Sequence, residues 1–392
     1  MKIKIAVLFS FFAGVVSLSG QSIFFEEDIF PMQEKHVHSS SIVECPNGDL
    51  LVCWFHGSGE RTADDVIVQG ARRFYDTDSW SPVFLMADTP DFPDCNPMLF
   101  IDRNERLRMF WIAVLAHRWE KSILRCRLST DYQGSGAPVW SWQDIILLQP
   151  GSVFEQAIEN GFKRLSSFEG LWAEYAPKYT NMILEASKDP AKRQTGWMTR
   201  THPLVLPTGR ILLPLYSDGY NVSLVAISEN DGDTWRASAP IVGLGPIQPT
   251  LVRKKDGTIV AYMRDSGGPP NRVLRSVSTD DGETWTFAED TAIPNPGSSL
   301  EVIAVKSGEW VMVYNDTEDG RHSLAAALSE DEGKTWNIKR KIGFAPEDQK
   351  SYAYPSLIQT RDGLLHLTYS YREDSLQTIK HAVFNIDWIR AQ

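Results

Sequence analysis

Along most of this chain, apolar and polar residues alternate in short runs that turn back on themselves. A strand-length apolar segment, a turn holding Gly or charged residues, and a second segment ending in aromatics recur six times. The instances are SSIVECPNGDLLVCWF (40–55), NPMLFIDRNERLRMFW (96–111), HPLVLPTGRILLPLY (202–216), QPTLVRKKDGTIVAYM (248–263), SSLEVIAVKSGEWVMVY (298–314) and YPSLIQTRDGLLHLTYSY (354–371). Each is rich in β-branched and aromatic residues around its turn and reads as a β-hairpin. After five of them come a third strand and a turn phrase. Three phrases are intact, SENDGDTW (228–235), STDDGETW (278–285) and SEDEGKTW (329–336), and start 50 and then 51 residues apart. Two are decayed, ARRFYDTDSW (71–80) and LSTDYQGSGAPVW (128–140). The phrase has the chemistry of a tight turn: Ser and Asp accept from the turn's own amides, Gly supplies a positive φ, and Trp wedges beneath.

Six such units, each of four strands, predict an all-β fold, a six-bladed β-propeller. The sixth has its hairpin and a third strand, TIKHAVFNI (378–386), and no turn phrase after it. SIFFEEDIF (22–30) is the strand expected to complete that blade and close the ring, which would protect its edges. One stretch, 148–198, breaks the rhythm. Within it FEQAIENGFKRL (154–165) and GLWAEYAPKYTNMILEAS (170–187) read as helices, and Trp172, Tyr175 and Tyr179 fall in the second. A long insertion of this kind is either a lid over the mouth of the propeller or a brace on its rim.

Composition changes the picture in two places. An apolar run from Ile5 to Val16 behind Lys2 and Lys4, followed by Ser17, Ser19 and Gly20, has the form of a signal peptide over residues 1–20. The expectation is a propeller over 21–392 that is secreted or periplasmic, without a membrane span, since no later apolar run approaches ~18 residues. The net charge of −11 argues against nucleic acid as a partner, and an anionic ligand would have to be held by placed Arg or His against the global field. Four cysteines, Cys45, Cys53, Cys95 and Cys126, are compatible with disulfides or with free buried thiols. No phosphate loop, HExxH or Cys/His metal set is present, so neither a metal nor another cofactor is expected.

Strand order sorts residues between the two faces of the ring. If each first strand starts at the mouth, the hairpin turns and the turn phrases lie on the opposite face and are structural. The mouth then collects the starts of the first strands, Asn96-Pro97, His202-Pro203, Gln248-Pro249 and Tyr354-Pro355, with Ser39 and Ser299 in the other two blades. It also collects the loops after the second strands, which carry Arg61, Asp64, Asp65, Arg264, Asp265, Asp316 and Arg321. Arg200 and His202, in WMTRTHP, are candidates for the same site or for a contact between blades.

In these residues the chain resembles the sialidase (neuraminidase) superfamily of six-bladed propellers, and within it the bacterial branch with Asp-box (BNR) turn phrases. The resemblance implies an exo-glycosidase that removes a terminal α-linked acidic sugar from a glycan. By position in the motif it makes Arg264 and Arg321 the second and third carboxylate-binding arginines, Tyr354 the nucleophile, and Asp65 the acid/base, with Asp64 as the alternative register. Two departures stand out. His38 falls where the first arginine belongs, and Gln248 where a Glu would take the tyrosine's proton; an amide cannot. Glu301 is the nearby carboxylate expected to replace that base, and Gln248, Asn96, Arg61, Arg200 and His202 are expected on the substrate. Tyrosine has an unperturbed pKa of ~10 and needs a base or cations to attack. Asp65 would have to be protonated at rest to act as an acid. His38 would bind a carboxylate better at mildly acidic pH, where it is charged. A polysaccharide lyase using Tyr354 and His38, and a silent glycan-binding propeller, are the other classes open to this sequence.

Overall fold

The computed structural model describes residues 20–77, 79–165, 180–347 and 349–391. Six four-stranded antiparallel sheets form the blades of a β-propeller. The first blade is built from His36–Glu44, Leu50–Gly57, Ile67–Arg73 and Phe84–Ala87, and the second from Asp94–Ile101, Leu107–Val114, Ser122–Ser129 and Trp142–Ile145. The third blade has short outer elements, Leu204–Val205 and Arg236–Ala237, around Ile211–Ser217 and Val222–Ser228. The fourth runs Pro246–Arg253, Ile259–Asp265, Arg272–Ser278 and Glu289–Pro294, the fifth Glu301–Ala304, Trp310–Tyr314, Ser323–Ser329 and Ile338–Phe344.

The sixth blade closes the ring as the sequence pattern predicts. Lys350–Gln359, Leu365–Glu373 and Leu376–Phe384 are completed by Phe24–Asp28, with Phe24 opposite Phe384 and Asp28 opposite Lys380. The second strands are buried on both sides, as Leu107–Val114 shows, because each blade is packed between two neighbours. Core clusters accordingly straddle the blade interfaces: Ile42, Trp54 and Ile379 meet between the first and sixth, Val252, Tyr262 and Trp310 between the fourth and fifth. All four cysteines are buried free thiols.

Each intact turn phrase is internally satisfied. In the fourth blade Ser278 Oγ accepts from Gly282 N at 2.9 Å, while Asp280 accepts from Ser278 Oγ at 2.7 Å and from Thr284 N at 3.0 Å. The pattern repeats with Asn230 in the third blade and Asp331 in the fifth. These turns lie between third and fourth strands, on the face away from the starts of the first strands.

In the insertion, helices span Ser152–Leu165 and Thr180–Lys188. The first buries Phe154, Ile158, Phe162 and Leu165 in the largest core cluster, with Trp197 and Tyr220. It approaches so closely at Gly161 that a Cβ there would stand 2.3 Å from Val242 Cγ1. This helix is a brace. Trp172, Tyr175 and Tyr179, the basis for expecting a lid, lie outside the described residues, as does the 1–19 part of the expected signal peptide. Among the described residues no helix is long and apolar enough to cross a membrane.

Candidate functional site

The first strands of four blades share a defect where they start. Ser39, Asn96, Gln248 and Tyr354 all have positive φ, between 48° and 59°, and each sits in a register shift of its strand pair. Left-handed backbone costs a non-glycine residue ~1–2 kcal/mol, so four aligned instances need bonds that hold them. Ser39 N donates to Ser370 Oγ at 3.0 Å, and a further set of bonds, at or next to all four, comes from one segment, Thr199–His202, which enters from the third blade. Thr199 Oγ1 donates to Asn96 O at 2.8 Å and Thr201 Oγ1 to Pro249 O at 2.5 Å. Arg200 donates through Nη1 to Ser40 O at 3.3 Å and through Nη2 to Pro355 O at 2.8 Å. His202 donates from Nε2 to Ile42 O at 2.9 Å and from Nδ1 to Glu301 Oε1 at 2.7 Å. Four consecutive residues thus reach all five other blades.

With both ring nitrogens donating, His202 is an imidazolium. Burial opposes that charge, but the Glu301 carboxylate outweighs it and His202 is held above its usual value. Burial likewise pushes Glu301 up, and the charge and hydrogen bonds of His202 more than reverse this, so Glu301 is ionised. Its second oxygen accepts from Leu357 N at 2.7 Å. Glu301 is therefore committed to an axial ion pair, and the structure does not bring it to Tyr354 as a base. Of the two roles open to Arg200 and His202 in the sequence, a place on the substrate or a contact between blades, the structure shows the second. They are spent on blade carbonyls and on Glu301, because a carbonyl buried at the axis has no water to turn to.

Around Tyr354 the structure gathers most of the remaining candidates. Its hydroxyl lies 3.1 Å from Arg264 Nη1 and 3.0 Å from Gln248 Nε2. The Gln248 amide nitrogen is also 3.2 Å from the Tyr216 hydroxyl, which accepts from Asn96 Nδ2 at 3.0 Å. Arg200 and Arg321 stand over the Tyr354 ring, at 4.9 and 5.4 Å from its centroid. The His38 ring is packed against it at 4.1 Å. Burial, followed by the charges of His36, Arg321, Arg200 and Arg264, holds His38 well below the usual imidazole range. His38 is thus a neutral group at mildly acidic pH too, and the expected gain of charge there does not occur: three guanidiniums already surround it.

Beside this cluster a cavity of about 370 Å³ opens on the mouth, lined among others by His36, His38, Glu60, Arg321, Lys350 and Arg372. His36 Nε2 lies 3.1 Å from Glu60 Oε1 on its wall. Asp65 is elsewhere, on an exposed loop, taking bonds from Ser58 N at 2.9 Å, Ser58 Oγ at 2.6 Å and Lys35 Nζ at 3.1 Å. The Ser58 bonds, with Lys35 added, hold it down at about 2. An acid that weak in its hold on a proton is no donor at neutral pH. Asp64 pairs with His117 at 2.6 Å, and Arg61 stacks on Trp119 at the rim, 5.4 Å from the ring centroid.

Sequence reasoning missed Tyr216, His36 and Glu60. Tyr216 ends a second strand in LLPLY, where it looks like one more core aromatic. His36 is two residues before His38, hence on the same strand face, and that spacing was a usable signal. Glu60 sits in a charged loop with nothing to mark it out.

The sequence profile of the BNR repeat-like domain matches residues 48–367. An anhydrosialidase of Macrobdella decora is 25% identical over 178 residues, 41% of this chain and 23% of that protein, so the chain spans under a quarter of that relative's length. Among solved structures, a protein of unknown function from Dyadobacter fermentans superposes with a TM-score of 0.68 at 14% identity, over 94% of this chain and 100% of its own. A leech intramolecular trans-sialidase in complex with 2,7-anhydro-Neu5Ac gives 0.67 at 14%, covering 94% and 71%. The Hadza microbial sialidase Hz136 gives 0.63 at 15%, covering 89% and 66%. At these identities the structural likeness is one of fold, and the profile match over most of the chain carries the family. This six-bladed ring belongs to the BNR repeat-like domain family.

Proposed function

We propose that this protein is an exo-glycosidase of sialidase type that removes a terminal α-linked acidic sugar from a glycan. The observation that carries the reading is the setting of Tyr354: a hydroxyl bonded by Arg264 and Gln248, beneath Arg200 and Arg321, next to a cavity that shares Arg321 and His38. Arg264 and Arg321 hold the sugar's carboxylate, and a tyrosine suits such a substrate because a carboxylate nucleophile would repel it. Tyr354 gives up its phenol proton to solvent, and the surrounding guanidiniums neutralise the phenolate as its bond to the anomeric carbon forms. The leaving oxygen takes its proton from the His36–Glu60 pair, which lines the cavity, rather than from Asp65. Water then releases the sugar with retained configuration.

Turnover of aryl α-glycosides of acidic sugars tests this. Tyr354→Phe is expected to lower kcat by roughly a thousandfold or more, as loss of a nucleophile does. Gln248→Glu, which puts a base 3.0 Å from the phenol, is expected to raise it. A wild-type protein inert on every acidic glycoside would overturn the proposal. One observation favours a second reading: the neutral His38 flush against Tyr354, among guanidiniums, is also a set for abstracting the proton next to a uronate carboxylate. Ultraviolet absorbance of an unsaturated uronate product would identify that elimination.

A further inference from the structure

Opposite the mouth, between the first and sixth blades, lies a cavity of about 850 Å³ that the chemistry above does not use. On its wall is His366, 8% exposed, at the end of a hydrogen-bonded relay. Glu27 Oε1 receives Trp80 Nε1 at 2.9 Å and has Arg73 Nε at 3.4 Å, so it is a carboxylate. His381 Nδ1, 3.1 Å from the same oxygen, must donate to it. His381 is buried, and burial keeps it neutral despite Glu27, so its Nε2 is an acceptor. His366 Nδ1, 2.9 Å away, therefore donates to that nitrogen. This fixes the tautomer of His366 and leaves a lone pair on its Nε2, to which no described residue donates.

We propose that this seam is a binding site for a neutral saccharide, with His366 Nε2 accepting from one of its hydroxyl groups. A second, independent feature points to the same class. Tyr75 is 77% exposed on the cavity wall, yet it is held in place: its backbone N donates to Asp49 Oδ1 at 3.0 Å, and its ring lies so close over Gly48 that a Cβ there would be 2.8 Å from Cδ2. Phe25, 49% exposed, lines the same cavity. Exposed aromatic faces that are fixed beforehand suit the C–H face of a pyranose at little entropic cost. Charge selects the rest. A lone pair, with Asp362 and Glu44 on the wall, disfavours an anion, while Arg361 and Arg73 disfavour a cation. What remains is an uncharged ligand rich in hydroxyl donors.

The test uses the purified full chain and a panel of methyl glucopyranoside, galactopyranoside, mannopyranoside and N-acetylglucosaminide, with binding followed by ligand-observed NMR. At least one is expected to bind in the millimolar range. Tyr75→Ala, a change at an exposed site, should weaken it roughly fivefold to tenfold, the loss of one stacking face. His366→Phe should abolish it. Because Tyr75→Ala leaves the core untouched, it keeps the test decisive if His366→Phe fails to fold. In nitrogen-15 spectra His366 Nε2 should appear unprotonated and shift as sugar is added. No binding across the panel, binding unchanged by Tyr75→Ala, or a protonated Nε2 would each overturn the proposal.

Discussion

The turn phrases and the axial segment solve the same problem, a backbone that must be hydrogen-bonded away from regular ladders, in opposite ways. Each turn phrase satisfies itself within eight residues, and the solution is copied from blade to blade. Thr199–His202 occurs once and spends its polar side chains on the five other blades. Copies are redundant, so losing one should cost little. A unique hub is not, because no other blade carries a copy of it and its partners are buried carbonyls and a buried carboxylate. The comparison locates the shape of the candidate site in the unique segment, since the carbonyls it holds belong to Pro355, Pro249 and Asn96, at or next to Tyr354, Gln248 and Asn96.

The largest effect is expected at Glu301. Glu301→Ala strands a buried imidazolium and should cost ~3–5 kcal/mol, read from urea unfolding midpoints. The pH dependence follows from the two shifts. Glu301 is lowered from 4.5, so its contribution is present above that value and is lost as pH falls through the folded one. His202 is raised from 6.5, so its contribution is present below that value and is lost as pH rises through the folded one. The gap between wild type and variant should be widest between about pH 4.5 and 6.5, and a gap that grows towards alkaline pH would contradict the pairing.

Arg200→Lys comes next. An ammonium can serve one of the two carbonyls but not both in the guanidinium's geometry, at ~1–3 kcal/mol for the group left unsatisfied. With Pro355 O released, kcat on an acidic glycoside should fall more than KM rises. Equal stability and unchanged kcat would show that Arg200 is not what sets Tyr354.

In the turn phrases the effects shrink. Asp331→Ala removes acceptors for Thr335 N, Lys334 N and Thr335 Oγ1 in one exposed turn, and ~1 kcal/mol with no change in kcat is expected. Asp331→Asn should stay within ~0.5 kcal/mol at neutral pH, because Asn230 already fills that role in the third blade. Bonds from the Thr335 backbone, above all, hold Asp331 at about 2, so its contribution is present above 3.8 and is lost as pH falls through the folded value. The Asn variant should lack that loss, and melting curves taken into the acid range would show it.

The same contrast explains what could be read beforehand. Six hairpins, three turn phrases and a ring closed by residues 22–30 are written in local periods, two along a strand and about 50 along the chain, which act through neighbouring residues. Strand order then placed Tyr354, Gln248, Arg264 and Arg321 on one face, and the structure gathers them. A contact between blades was one of two readings open to Arg200 and His202, but the choice between them, and the pairing with Glu301, was not legible, because Thr-Arg-Thr-His has no period and its partners lie up to 160 residues away. Asp65 failed for a different reason: its state is set by Lys35 and Ser58, whose nearness depends on how one loop folds.

The closing strand imposes an order of events on folding. Glu27 bonds to His381 across 354 residues of chain. Closing so long a loop costs little more at equilibrium than closing a shorter one, because the entropic term grows only with the logarithm of length. In time it is the contact that waits longest, since five blades can form from segments made within about 50 residues of one another while the first strand stays unpaired. Until then, Phe24 and Phe25 belong to an open strand edge of the kind that pairs with other chains. The carboxylate that fixes the tautomers of His381 and His366 arrives with this last contact, so the far-face histidine relay also reports, at atomic scale, that the ring has shut.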